Sequence, residues 1–190
     1  MGATLIDLAT PEIVPLLDDG FGGFKLIIME FSSGLHDYLA HYENAPVNSI
    51  DDILASGKFD PDMLPKLSAV AAAAQATDSK EYFQLVARRN ELRELLLQQM
   101  AQHELDALAY PTSSHKAELI GKEQPGNNCF LSSNSGLPAI SVPAGFTADG
   151  VPVGLELLAR AWDESLLLKL AYAYEQGTRH RRPPASAPPL

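Results

Sequence analysis

The sequence predicts an α/β protein in which helices cover a sheet. Two observations lead to this prediction. Long segments carry apolar residues at steps of three and four, as amphipathic helices do, and short apolar runs bounded by proline or glycine are typical of strands. Both kinds of segment occur along the chain, and a sheet has to bury one face against another layer. With 190 residues, 46% of them hydrophobic and 20% charged, the chain suits one globular domain.

Four helices and one strand are predicted before residue 79. The strand is the apolar run Leu5–Leu8. The first helix is expected to begin at Thr10, a suitable N-cap, with Pro11 in the first helical position. Ser49 is expected to cap a short helix, because Asp52 lies three residues later, close to a capping-box pattern. The other two helices are expected in the segment into which Lys25–Phe31 leads and which ends near Tyr42, and around the alanine run 71–74.

The clearest predicted helix runs from about residue 79 to residue 103. Asp78 is predicted as its N-cap, with Glu81 three residues later. Its apolar residues recur at steps of three and four and are therefore expected to be buried. They are Phe83, Val86, Leu92, Leu95, Leu96 and Met100.

Three strands are predicted after this helix. The first is ended by Pro111, and the last two are joined by a tight hairpin turn that the pair Asp149-Gly150 favours. The strands are expected over Leu105–Tyr110, Pro138–Pro143 and Val151–Leu158.

A last helix is predicted from Asp163, its N-cap, to Gln176, with Gly177 just beyond its end. Its inward face is expected to comprise Leu166, Leu167, Leu170, Ala171 and Tyr174.

Charge and cysteine content restrict the function classes. The formal net charge of −10 disfavours nucleic acid and anionic membrane as partners. The single cysteine, Cys129, cannot form an internal disulfide and fits a reducing compartment. Neither a signal peptide nor an uninterrupted apolar segment of spanning length is recognisable, so a cytoplasmic location is expected.

Between about Leu105 and Pro184 the chain contains four characteristic segments, which are Asp106–Thr112, Ser135–Phe146, Gly150–Arg160 and Ala171–Gln176. In these segments the sequence resembles the C-terminal segment of the amidase-signature family. A stretch from Glu30 to Ile53 is similar to the peptide-amidase branch of that family.

This resemblance implies a fold and a chemistry. The family fold is a mixed sheet flanked by helices, of which residues 1–184 would supply the C-terminal portion, followed by an extended proline-rich tail at 185–190. The family hydrolyses carboxamide C–N bonds with a Ser–cis-Ser–Lys triad and needs no cofactor. That triad lies upstream of the matched segments, so no catalytic residue is assigned in this chain.

Other groups in the chain do not replace the triad. A serine nucleophile needs an adjacent base and preorganised oxyanion donors. Ser32-Ser33-Gly34 is interpreted as helix surface and Ser132–Gly136 as a turn before a strand. Cys129 has no helix-start lysine or histidine pattern that would activate its thiol as a nucleophile. His36 and His41 are five residues apart, whereas the zinc motif needs four, so no metal site is predicted.

Two polar residues are candidates for a substrate site. Thr112 follows the first of the three predicted strands, and ligands of open α/β sheets bind beyond strand ends. Asn127 lies in the polar segment that comes next. Two interpretations stay open for both residues: they contact a substrate, or they satisfy loop backbone groups.

Two hypotheses about function follow. In the first, the chain is the C-terminal part of an amidase and is inactive alone, acting on a small amide only when an N-terminal amidase half completes it. In the second, it is a non-catalytic module that self-associates or docks on a partner, because apolar surface that the missing half would cover marks an interface. We expect a dimer or larger species.

Overall fold

The computed structural model describes residues 2–8, 22–74, 76–122, 124–184 and 186. The helix predicted at Thr10 lies outside these residues, as does all of the tail at 185–190 except residue 186. The chain forms two compact units. We call residues 14–91 the helical unit, and residues 1–13 with residues 92–190 the sheet unit. The predicted α/β class is confirmed, since helices and a sheet are both present.

The helical unit is built from helices and 3₁₀ turns, and the predictions for its described residues are largely confirmed. Its core contains the buried side chains Leu26, Met29 and Leu85. The Ser49 side chain accepts a hydrogen bond from the Asp52 N–H at 3.1 Å, as a cap should. The helices are α1 (Gly22–Leu39), α2 (Ile50–Ser56), α3 (Leu64–Ala72) and the first part of α4 (Lys80–Gln102), with 3₁₀ turns at Pro61–Met63 and Ala76–Asp78.

Helix α4 has the predicted extent but differs at its start and on one face. Ser79, not Asp78, caps it, because the Ser79 hydroxyl accepts from the Tyr82 N–H. Phe83 is 60% exposed, whereas Leu85 is buried. Two residues correspond to about 200° around a helix, so the two side chains point to opposite sides. The buried face continues with Leu92, Leu96 and Met100.

The sheet unit contains a three-stranded sheet in the order β1-β3-β2. Both strand pairs within the described residues are antiparallel, and the predicted hairpin joins β2 to β3. The predicted strand at Leu5–Leu8 is wrong: residues 2–8 form no strand, and Leu5 is 88% exposed. A strand needs a hydrogen-bonded neighbour, and none of the described strands pairs with this segment. The strands are β1 (Leu108–Pro111), β2 (Ala139–Phe146) and β3 (Pro152–Leu158).

Two further helices complete the sheet unit. Helix α5 (Phe130–Ser135) precedes β2, and helix α6 (Glu164–Thr178) packs on one sheet face. Helix α6 extends beyond its predicted end: Gly177 lies within it, and Arg179 adopts the left-handed conformation that ends it. The predicted inward face is confirmed for Leu167, Leu170, Ala171 and Tyr174, which belong to the core cluster or pack against it. The fifth predicted residue, Leu166, is half-buried and is not part of that cluster. The cluster and its packed neighbours also include Ile140, Val142, Leu155 and Leu157 of the sheet and Ala159 just after β3.

Candidate functional site

The register of the strands divides the sheet into an apolar and a polar face. Residues directly opposite each other across strands share a face. Leu157 and Ile140 are opposite each other, as are Leu155 and Val142, and these four residues belong to the core beneath α6. On the other face, Tyr110, Glu156 and Ser141 form one row across the three strands. The polar face therefore carries the chemistry-bearing groups of the sheet.

Tyr110 and Glu156 form a hydrogen bond on this face. The Tyr110 hydroxyl donates to Glu156 Oε1 at 2.8 Å, and Glu156 is only 5% exposed. Burial raises the pKa of the Tyr110 phenol well above its usual range, and the hydrogen bond to Glu156 raises that pKa further. Tyr110 thus remains protonated near neutral pH and acts as a donor, not as an oxyanion nucleophile.

Next to this pair, Thr112 lies beside Ser141. Their hydroxyl oxygens are 2.6 Å apart, and the Thr112 N–H donates to the Gly154 carbonyl at 3.0 Å. Both hydroxyls crowd Gly154, where an added Cβ would lie 2.6 Å from Thr112 Oγ1 and 3.1 Å from Ser141 Oγ. Glycine at this position therefore allows the close approach of the two hydroxyls. Ser141 is exposed, so this part of the polar face is open to solvent.

The polar segment after β1 turns back toward the end of that strand. Asn128 Nδ2 donates to the Pro111 carbonyl at 2.8 Å, and the Asn128 N–H donates to the Thr112 carbonyl at 3.2 Å. Ser113 forms an isolated β-bridge with Asn127. The backbone near Asn127 is therefore held against the backbone near Thr112.

The two predicted substrate-site residues differ in what their side chains contact. The Thr112 hydroxyl joins Ser141 on the polar face. Asn127 Oδ1 accepts from the Cys129 N–H at 2.9 Å, which satisfies a loop backbone group. The side-chain nitrogen of Asn127, Nδ2, makes no hydrogen bond with the described residues, so it is available as a donor. Their role toward a substrate stays a prediction.

Sequence reasoning did not select Tyr110, Ser141, Glu156 or Gly154 as site residues. A signal was present, since Glu156 is a carboxylate inside the apolar run from Val153 to Leu158. Ionised side chains are rarely buried without a partner. That partner, however, comes from a strand 46 residues away, and spacing alone does not reveal the pairing.

The serine strings have the contacts of structural residues. The Ser33 hydroxyl donates to the Glu30 carbonyl within α1. The Ser132 and Ser135 hydroxyls donate to carbonyls of their own helical turn. The segment predicted as a turn is thus helix α5, and the hydroxyls of Ser132 and Ser135 bond backbone groups rather than a base.

One serine contacts a histidine within the part of the chain that the structure describes. Ser114 Oγ lies 3.2 Å from Nδ1 of the adjacent His115, and both residues are exposed. The Ser114 N–H is occupied by the Gly126 carbonyl, so it is not free to stabilise an oxyanion. No third described group orients the imidazole, so this contact lacks the other parts of a serine hydrolase site.

Over the described ranges, no helix is long and apolar enough to cross a bilayer. The same residues contain no group of three or more histidine, cysteine, aspartate or glutamate side chains arranged to hold a metal ion.

Comparison with known proteins shows similarity to A subunits of glutamyl-tRNA(Gln) amidotransferases. The chain is 37% identical to the A subunit of the Parvibaculum lavamentivorans glutamyl-tRNA(Gln) amidotransferase over 107 residues, which is 51% of this chain and 22% of the relative. It is 45% identical to the corresponding protein of Moorella thermoacetica over 89 residues, or 42% of this chain and 18% of the relative.

Solved structures give a wider match. The crystal structure of PAM12A has a TM-score of 0.75 and 32% identity, covering 92% of this chain and 36% of that protein. The native peptide amidase from Stenotrophomonas maltophilia has a TM-score of 0.68 and 32% identity, covering 87% of this chain and 35% of the enzyme. The chain thus spans about a third of the length of these structures and about a fifth of the curated relatives. The Amidase family profile matches residues 1–168, and the chain therefore belongs to the amidase family.

Proposed function

We propose that this chain is the C-terminal part of an amidase that hydrolyses carboxamide C–N bonds, and that it is inactive without a segment supplying the nucleophile and base. Its membership of the family supports the reaction class. Its coverage of 36% of a related structure supports the need for completion. No cofactor is required by this chemistry, and a cytoplasmic location remains a prediction.

One observation carries the proposed inactivity. Among the described residues, the serine and threonine hydroxyls that form hydrogen bonds contact backbone groups or other hydroxyls, apart from Thr147, which donates to Asp149, and Ser114, which contacts an exposed histidine. Thr147 is anchored in the hairpin turn, where its hydroxyl also accepts from the Val151 N–H. A serine without a positioned base and oxyanion donors is a weak nucleophile at neutral pH.

In a completed enzyme we expect the polar face of the sheet to contribute to substrate binding. Thr112 and Ser141 would present hydroxyls, and the Asn127 amide nitrogen would donate a hydrogen bond. These groups suit a substrate carboxamide, whose oxygen accepts and whose nitrogen donates. A small amide is therefore the expected substrate of the completed protein.

Ammonia release tests the inactivity. The purified chain is incubated with small carboxamides and peptide amides, with the Stenotrophomonas maltophilia peptide amidase as the active reference. No release above buffer is expected. Release that scales with chain concentration and disappears in Ser114→Ala, but persists in Ser33→Ala, would contradict the proposal and identify the exposed serine as a nucleophile.

A second candidate function, a module that self-associates or docks on a protein partner, is favoured by exposed apolar side chains. On α1, Ile27, Phe31 and Tyr38 are exposed, with Tyr38 at 60%. On α6, Leu168 and Tyr172 lie one turn apart and are 61% and 67% exposed. Exposed apolar side chains grouped on one helix face are typical of interaction surfaces.

Sedimentation tests this second candidate. If the chain self-associates, a dimer or larger species is expected at tens of micromolar, and Phe31→Ser or Tyr172→Ser should shift it toward monomer. A monomer at that concentration for the unaltered chain would exclude self-association. Docking on an N-terminal amidase segment would then be tested by mixing the chain with that segment, expressed from a relative.

A further inference from the structure

Four consecutive residues after α6 carry basic side chains, although the chain as a whole is acidic. They are Arg179, His180, Arg181 and Arg182, in a protein of formal net charge −10. Within the described residues, no carboxylate forms an ion pair with any of them. Unpaired cations that are close together repel one another, and a bound anion would relieve that repulsion.

Three of these residues line an open groove of about 480 Å³ beside the β2–β3 hairpin. The groove is lined by Arg179, His180 and Arg182 and by apolar groups that include Phe146 and Val153. No acidic side chain is among the lining residues. The nearby acidic residue of the hairpin turn, Asp149, is paired with Lys116 and accepts from Thr147. Its charge is therefore largely neutralised.

Arg182 is held in place by an aromatic ring. Its guanidinium carbon lies 3.9 Å from the centre of the Phe146 ring. Such stacking restricts the guanidinium while leaving its N–H donors in the guanidinium plane, where they match the geometry of a carboxylate or phosphate. Phe146 and Val153 add an apolar wall next to this charged group.

We propose that this groove binds an organic oxyanion, a phosphate or carboxylate attached to an apolar group. Arg182 and Arg179 hold the oxyanion, and Phe146 and Val153 contact the apolar group. The groove volume falls within the range of roughly 300–1,000 Å³ that small-molecule sites occupy. This binding site lies apart from the Thr112–Ser141 contact and is independent of the proposed amidase function.

The test uses the full 190-residue chain and an NMR titration at low salt. Phenyl phosphate and benzoate are the probes, and inorganic phosphate and acetate are the probes without an apolar group. The amide signals of Gly145, Thr147 and Val153 report on the groove. Saturable shifts are expected for phenyl phosphate, benzoate or both, and the better of the two identifies the preferred oxyanion.

Two neighbouring arginines provide a matched comparison. Arg182→Gln removes a charge that lines the groove, whereas Arg181→Gln removes an equal charge from a residue outside its lining. Arg182→Gln should weaken binding roughly tenfold or more, because a charge-assisted hydrogen bond is lost. Arg181→Gln should change it by less than about twofold, because exposed charges are screened.

The outcomes separate the proposal from general electrostatic attraction. An absence of saturable shifts overturns it. Equal weakening by Arg182→Gln and Arg181→Gln also overturns it, because only net charge would then matter. Inorganic phosphate and acetate binding as tightly as their aromatic counterparts would refute the role of the apolar wall. Intermediate binding by Arg182→Lys supports the proposal, since lysine keeps the charge and loses the stacked planar donor.

Discussion

Replacing Tyr110 by phenylalanine tests the hydrogen bond on the polar face of the sheet. The substitution removes the hydroxyl that donates to Glu156 Oε1 at 2.8 Å and keeps the aromatic ring. Glu156, which is 5% exposed, then loses this partner without access to bulk water. A buried acceptor left unpaired is costly, and more so when it is charged.

The expected loss follows from these contacts. Because the ring is retained, no cavity contribution is added. Hydrogen bonds to charged groups contribute about 1.5–3 kcal/mol, so we expect Tyr110→Phe to lower the free energy of unfolding by about that amount. In a Glu156→Gln background the acceptor oxygen is kept but the charge is gone. In that background Tyr110→Phe should lower the free energy of unfolding by only about 0.5–1.5 kcal/mol.

The assay has to report on the sheet unit by itself, because the chain forms two compact units and its unfolding need not be two-state. Amide hydrogen exchange of β3 residues, measured with increasing urea, gives the local opening free energy. The four proteins of the double-mutant cycle are the unaltered chain, each single variant and the double variant. The coupling energy is the difference between the Tyr110→Phe effects in the two backgrounds.

Two results would refute the reasoning. An effect below about 0.5 kcal/mol would mean that the hydroxyl contributes no more than an ordinary surface group. Equal effects of Tyr110→Phe with and without the Glu156→Gln substitution would mean that the carboxylate charge is not what the phenol stabilises.

Four further predictions concern the pH dependence and three other contacts. The pKa of Tyr110 is raised above its usual value of 10.0, so the stability that this shift contributes should be present below that pH and lost as pH rises above it. The free energy of unfolding should therefore fall more steeply with alkaline pH in the unaltered chain than in Tyr110→Phe. Gly154→Ala should lower the opening free energy of β3, measured by amide exchange in urea, by about 1–3 kcal/mol, since the methyl would lie 2.6 Å from Thr112 Oγ1. Adding Thr112→Ala should restore part of that stability. Leu167→Ala, in the core beneath α6, should cost about 2–5 kcal/mol by the same measurement. Ser49→Ala should cost about 1 kcal/mol and speed exchange of the Asp52 amide.

Local patterns predicted much of the secondary structure. The cap at Ser49, the hairpin at Asp149-Gly150 and the inward face of α6 are confirmed, because each depends on residues a few positions apart. The errors arise where contacts between residues far apart in sequence determine the local structure. Leu5–Leu8 has a strand-like sequence but no strand beside it among the described residues.

In the candidate site, too, the contacts between residues close in sequence were easier to predict than those between distant residues. Thr112 was selected because it follows a strand, and the structure shows its hydroxyl on the polar face beside Ser141. Asn127 was selected as part of the polar segment that follows, and its side-chain oxygen serves the Cys129 N–H. The Tyr110–Glu156 contact was not predicted, because the order and register of the strands bring these residues together.

The sequence by itself determined the family, the α/β class and the positions of most helices and strands. The family follows from the resemblance of the residue order to known members. The class and the elements follow from apolar periodicity and from turn residues, which are local along the chain. Only the tertiary structure decided which side chains share the polar face, that Glu156 is buried against Tyr110, and that Arg182 stacks on Phe146 beside an open groove. Those contacts depend on strand register and on chain reversal, which place residues far apart in sequence within a few ångströms of one another.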